Sequence, residues 1–201
     1  MKKLLTICFL FLTLGASAQS LANPPYLEGN KMFDAGRYQE AVEFYSKSVY
    51  IEPTFAQAYN NRGLAKIELN DHQGAMADFN KVLSLDPKNS EAYRNRATMK
   101  FRLNDYAAAL ADYNQALVLK PQHAGNLTER GSIKMKLGDY SGAVADFTKA
   151  IALNPNSVNA YYGRGSSRVA LKQKESACAD LLKAQELGSR QAANLLKQNC
   201  Q

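Results

Sequence analysis

The sequence predicts an all-α solenoid of stacked antiparallel helix pairs, and two observations predict it. Prolines recur every 34 residues, at Pro53, Pro87, Pro121 and Pro155. Three other registers keep the same period. Alanine recurs at Ala41, Ala75, Ala109, Ala143 and Ala177. An aromatic recurs at Tyr45, Phe79, Tyr113 and Phe147, with Leu181 in the fifth place. Glycine recurs at Gly29, Gly63, Gly131 and Gly165, with Ala97 filling the gap. Four registers on one period mark a repeat array, in which each unit buries its apolar face only by stacking on its neighbours. At 46% hydrophobic and 21% charged, the chain has the composition of a folded protein rather than a disordered one.

The first eighteen residues read as a cleavable export signal. Lys2 and Lys3 form a basic start, Leu4 to Leu14 an apolar run, and Ala16-Ser17-Ala18 a small-x-small cleavage site. Cleavage after Ala18 leaves a mature chain that begins at Gln19, periplasmic or secreted. The apolar run is too short to span a bilayer, so no integral membrane span is expected after cleavage. Cleavage also removes Cys8, leaving Cys178 and Cys200 in an oxidising compartment.

The helix pair is readable within residues 90–123. Ala92, Tyr93, Ala97, Lys100, Phe101 and Leu103 follow a 3.6-residue spacing and define helix A. Asn104 tolerates the left-handed turn that ends it, and Asp105 suits the cap of the next helix. Ala109, Leu110, Tyr113, Ala116, Leu117 and Leu119 define helix B, and Pro121 stops it. The small residues Ala97 and Ala109 let the two helices approach closely.

This pattern resembles the tetratricopeptide repeat family, and an exported bacterial member with five repeats in particular. The resemblance rests on aromatic-x-x-Arg-Gly in helix A, then Ala, aromatic and Pro through helix B. In residues 56–89 these are Tyr59, Arg62, Gly63, Ala75, Phe79 and Pro87. It covers units 22–55, 56–89, 90–123, 124–157 and 158–191, followed by a capping helix over 190–201. The first unit departs from it at Pro25 and Glu28, and the last at Leu181 and Ser189, as terminal repeats do. The resemblance implies a right-handed superhelix whose A helices line a concave groove for a protein or peptide partner.

Most of the charge has a structural reading. Arg62, Arg96, Arg130 and Arg164 are each followed sixteen residues later by Asp78, Asp112, Asp146 and Asp180. The first unit lacks both members, which suggests an ion pair between helices A and B. A guanidinium fork suits a bidentate carboxylate there. A further basic row, Lys66, Lys100, Lys134 and Arg168, has two readings. Its stems pack between helices with their heads in water, or it forms a stripe that selects acidic peptides or anionic glycans. Signal cleavage lowers the formal charge from +7 to +5, as 23 basic against 18 acidic residues. That charge is graded: the five units carry −2, 0, +2, +1 and +3, and the tail +1. With no recognised motif for nucleic acid and an exported chain, nucleic acid is not an expected partner.

Cys178 lies about ten residues before the expected turn at Gly188-Ser189, and Cys200 about eleven after it. At about 1.5 Å per residue their heights match, predicting a disulfide between helix 5B and the capping helix. It would stabilise the cap by about 3 kcal/mol.

No catalytic residues, cofactor or metal ligands are expected. Gly-x-Ser-x-Gly, His-Glu-x-x-His and P-loop signatures are missing. His72 takes a packing position held by Tyr106 and Tyr140, and His123 falls in an inter-repeat turn. The groove positions implied by the resemblance include Asn61, Arg94, Asn95, Phe101, Arg102, Glu129, Met135 and Lys136. Tyr26 and Tyr162 share one groove position in the end units and are candidate binding anchors. Asn30 and Asn61 occupy two places of the family's carboxylate clamp. Tyr26, Glu91 and Asn95 occupy the rest, so the basic members are missing and binding of chaperone tails is not carried over. The expectation is a non-enzymatic scaffold; the alternative is a cell-wall or glycan-associated module using the tyrosines and the basic row.

Overall fold

The computed structural model describes residues 23–200, and the export segment expected at residues 1–18 lies outside them. The described residues hold eleven helices and no strand. None of these helices is long and apolar enough to cross a membrane. They fall into two compact units that divide between Asp86 and Pro87. The first holds α1 (Pro24–Asp34), α2 (Tyr38–Ile51), α3 (Ala56–Glu68) and α4 (His72–Leu85). The second holds α5 (Ser90–Arg102), α6 (Tyr106–Leu119), α7 (Ala124–Lys136), α8 (Tyr140–Leu153), α9 (Val158–Ala170), α10 (Lys174–Glu186) and α11 (Arg190–Asn199).

The turns explain the period. Inside each helix pair one residue takes a left-handed backbone: Gly36, Asn70, Asn104, Gly138 and Lys172, each 34 positions from the last. Asp71, Asp105 and Asp139 follow directly, and their carboxylates accept the backbone N–H of Gly74, Ala108 and Gly142 at 2.9, 3.2 and 2.8 Å. Arg37 and Gln173, the equivalents in the outer pairs, make no such cap bond. Between pairs, helix B ends at Ile51, Leu85, Leu119 and Leu153, each two residues before its proline. Asn89, His123 and Ser157 then cap the next helix; His123 does so with Nδ1, which accepts the Asn126 N–H at 3.1 Å.

Small residues bring the helices together and one large side chain fills each pair. Ala97, Ala109 and Tyr113 form a buried cluster with Ile133. Phe147 is wholly buried among Leu127, Ala143, Ala150 and Ala160. A Cβ on Gly131 would stand 2.9 Å from the Phe147 ring and one on Gly163 2.4 Å from it. In the first unit Ala41, Tyr45 and Ala65 pack with Tyr26, Met32 and Phe33. At the C-terminus α11 lays Ala192, Leu195 and Leu196 on Leu181 and Ala184 of α10. Cys178 of α10 and Cys200 after α11 are bonded there, with Cα atoms 5.7 Å apart.

Shared carboxylates occur in each unit. Arg62 grips Asp78 at 3.0 and 2.6 Å, and Arg130 grips Asp146 at 2.8 and 2.6 Å. Arg96 with Asp112 and Arg164 with Asp180 do the same. The basic row is only partly exposed, and its charged heads neither stand alone in water nor form a free stripe. Lys66, Lys100 and Lys134 lie 2.8 Å, and Arg168 2.6 Å, from the second oxygen of those same aspartates. Each buried carboxylate is therefore shared by two cations. It can accept both, because an ionised carboxylate offers about four lone-pair sites. Three of the arginines reach further. Their Nη1 donates to Ser46, Asn114 or Thr148 on helix B of the preceding pair, at 3.1, 2.9 and 3.2 Å. Arg62, Arg96 and Arg164 also face the aromatic three positions earlier, at 5.3, 5.6 and 5.6 Å. The aromatic-x-x-Arg spacing places that ring one helical turn before the arginine.

Burial by itself pushes the Asp146 carboxyl up, but hydrogen bonds and charge from Arg130 and Lys134 outweigh it and hold it below the ordinary carboxylate value. A carboxyl lowered in the folded state stabilises the fold above its unfolded value of about 3.9, and that contribution is lost as pH falls below it. Asp146→Asn, which leaves two cations without a counter-charge, should cost about 3–5 kcal/mol in urea titration. Lys134→Met, which leaves the matched Arg130–Asp146 pair, should cost clearly less, and Asp146→Asn should flatten the acid limb of stability. At the αL position, Lys172→Gly should raise stability by about 1 kcal/mol, read as a higher midpoint in the same titration.

Candidate functional site

Helices α1 and α3 carry polar side chains on the side that the Tyr45 hydroxyl reaches. In the first unit this side is organised around Asn30. Its Oδ1 accepts the Tyr45 hydroxyl at 2.8 Å and the Asn61 Nδ2 at 3.1 Å. Asn61 Nδ2 also donates to the Tyr26 hydroxyl at 3.1 Å. Asn30, Tyr45 and Asn61 join Phe33, Asp34 and Leu64 around an open cleft of about 340 Å³. The Asn30 amide N–H groups make no hydrogen bond among the described residues, so the cleft keeps a donor beside apolar walls. Burial pushes the Tyr45 phenol well above its ordinary value, so it stays a neutral donor.

The equivalent position in the second unit is closed by a shorter side chain. Thr98 Oγ1 donates to the Arg94 carbonyl at 3.0 Å and accepts from the Tyr113 hydroxyl at 2.9 Å. Burial pushes the Tyr113 phenol up to about 12, and the bond to Thr98 acts against that rise. Arg94 bonds Glu91 and Asn95 at 3.2 and 3.1 Å. Asn95 is itself buried, which leaves it little exposed to a ligand. Phe101 packs its ring 5.5 Å from Tyr106, and Met135 packs against the Phe147 cluster, so both serve the core more than an open face. Glu129 is reached by solvent, yet surrounding protein thins its hydration enough to push its carboxyl up. Arg102 and Lys136 are exposed at the ends of α5 and α7.

The two end tyrosines are only half exposed. Tyr26 sets its ring edge-on to Phe55 at 4.8 Å and tilted to Tyr45 at 5.9 Å. Tyr162 packs against the Leu181, Ala184 and Ala192 cluster beneath α11. Both contribute to the packing that closes a unit, and their hydroxyl edges are what remains for a partner.

Asn30 and Tyr45, which organise the cleft, did not stand out as a pair in the sequence. A signal was available: each repeat with Tyr in the buried aromatic place carries Asn30 or Thr98 fifteen positions earlier, whereas Phe79 is matched by Leu64. Ser132 breaks the rule before Phe147, and its hydroxyl turns back to the Thr128 carbonyl at 3.1 Å. Among the described residues no cluster of His, Cys, Asp or Glu has the makings of a metal site.

Comparison with known proteins follows this geometry. Models of the tetratricopeptide repeat match residues 29–69, 56–89 and 99–161. A sperm-associated antigen 1 from Rattus norvegicus is 49% identical over 49 residues; the match takes in 24% of this chain and 5% of that protein's length. Among solved structures, a MamA fragment from Desulfovibrio magneticus superposes with a TM-score of 0.76 at 21% identity, covering 86% of this chain and 96% of that one. YrrB, a TPR protein described as having an unusual peptide-binding site, superposes with a TM-score of 0.76 at 20% identity, over 90% of this chain and 97% of that one. TTC0263 from Thermus thermophilus reaches 0.64 at 18% identity, over 86% and 97%. At these identities the structural likeness is one of fold.

Proposed function

The chain belongs to the tetratricopeptide repeat family, whose members bind protein or peptide partners, and from that premise we propose an exported, non-enzymatic scaffold that holds an extended peptide segment of a partner. The observation that carries this reading is the cleft around Asn30. A preset acceptor–donor cluster of Asn30, Tyr45 and Asn61 beside Phe33 and Leu64 offers what a peptide needs: hydrogen-bonding groups for its backbone and an apolar wall for a side chain. The peptide-binding site described for YrrB, a protein of the same fold, adds support. The basic lysine, asparagine and arginine clamp for a free carboxylate is incomplete here, so the ligand is read as an internal segment rather than a C-terminus.

The glycan-binding alternative loses its main support, since Lys66, Lys100, Lys134 and Arg168 are engaged by buried aspartates. Export rests on the basic, apolar and small-residue order of residues 1–18. The Cys178–Cys200 bond belongs with that reading, because disulfides persist in oxidising compartments.

Cells expressing the chain should yield a crosslinked partner, and Asn30→Ala/Asn61→Ala should reduce its recovery about tenfold, the effect of losing one or two net hydrogen bonds. Unchanged recovery would remove the cleft from consideration. Intact-mass analysis of the exported protein should show a mature chain starting at Gln19. Its mass should rise by two hydrogens on reduction, and Cys178 and Cys200 should be alkylated only afterwards. A chain that retains residues 1–18, or that alkylates before reduction, argues against export.

A further inference from the structure

The helix ends carry a charge pattern that the core does not use and that meets the cleft only at Asp34. The last residues of α1, α3, α5 and α7 occupy one repeat position, and they are Asp34, Glu68, Arg102 and Lys136. All four are exposed, and none has an ion-pair partner among the described residues. Arg102 and Lys136 suit a helix C-terminus, where the backbone dipole is negative; Asp34 and Glu68 oppose it. The first unit thus keeps two carboxylates where local physics disfavours them, with no cation to relieve them.

A leucine follows three of these four residues directly. Leu69, Leu103 and Leu137 are 39%, 50% and 47% exposed, in the turns that leave α3, α5 and α7. Each unit therefore ends its A helices in an edge of unpaired charge beside exposed leucine. The edges are opposite in sign, and so are the units. Residues 23–86 hold nine acidic and six basic side chains, whereas residues 87–200 hold nine acidic and seventeen basic.

We propose that these two edges are contact surfaces for a second copy of the same chain, with Asp34 and Glu68 of one copy set against Arg102 and Lys136 of another. A chain with an acidic edge in one unit and a basic edge in the other offers each edge a counterpart on a second copy, which is what association between identical chains requires. Charge complementarity selects the partner and speeds encounter, while the leucines supply the area that leaves water. Asp34 also lines the cleft, so the test leaves it unchanged and is read at Glu68, Arg102 and Lys136, apart from Asn30 and Asn61; its failure leaves the cleft reading intact, and the converse holds.

Analytical ultracentrifugation of the purified full-length mature chain tests it. At about 20 mM salt the wild type should sediment as a dimer or larger. Raising salt to about 0.5 M shortens electrostatic reach from tens of ångströms to a few, and should weaken association about tenfold. Arg102→Glu/Lys136→Glu and Glu68→Lys should each be monomeric alone, and their equimolar mixture should associate again. Circular dichroism of each variant should match the wild type, since all four side chains are exposed. A wild type that stays monomeric at low salt overturns the proposal, even if it binds a polyanion such as heparin. So does a mixture that fails to associate.

Discussion

Everything else in the structure depends on one arrangement: a buried carboxylate shared by two cations from the facing helix. A lone ionised aspartate at the depth of Asp78 or Asp146 would be untenable, and a single exposed ion pair would do little. The second cation changes the case. With the guanidinium on one side and the lysine or arginine on the other, every oxygen is occupied and helices A and B have one register. The same arginine reaches the preceding helix B, so a contact inside one pair also aligns that pair with its neighbour. Apolar packing supplies the driving force, and these shared carboxylates select one helix alignment among those that packing alone would allow.

The fold was legible in the sequence because its constraints repeat. One left-handed residue per turn, one aspartate cap, one small residue at the close approach and one proline after helix B recur at fixed distances. The arginine–aspartate matching was also visible, since the first repeat, residues 22–55, lacks both partners together. What escaped was the second cation. Lys100 sits twelve residues from Asp112, and at sequence level it reads first as a packed stem with a solvated head and second as part of a ligand stripe. Only the antiparallel pairing brings its ammonium within 2.8 Å of a carboxylate already held by Arg96.

The candidate site was legible only in part, for a related reason. Family resemblance marks which faces of the A helices look away from the core, but not how much of each side chain remains free. Phe101 and Met135 fold back onto aromatic clusters, Asn95 is covered, and Tyr162 is drawn under the terminal helix. The organising group, Asn30, lies in the repeat least like the others. Its role emerges from a phenol reaching out of the core at Tyr45, which links how the interior is packed to what the surface offers.

The shared carboxylates also bear on how such a chain can lengthen. Each of the four sites brings two positive charges to one negative, so a duplicated site adds one net positive charge, which residues 56–89 offset with carboxylates elsewhere in the repeat and the later three repeats do not. The isoelectric point of 9.2 is then partly a by-product of repeat number, independent of any anionic partner. Growth by duplication makes the chain steadily more cationic unless acid residues accumulate elsewhere. In this protein they do so in the segment before Pro87, where the first helix pair carries neither the arginine nor the aspartate.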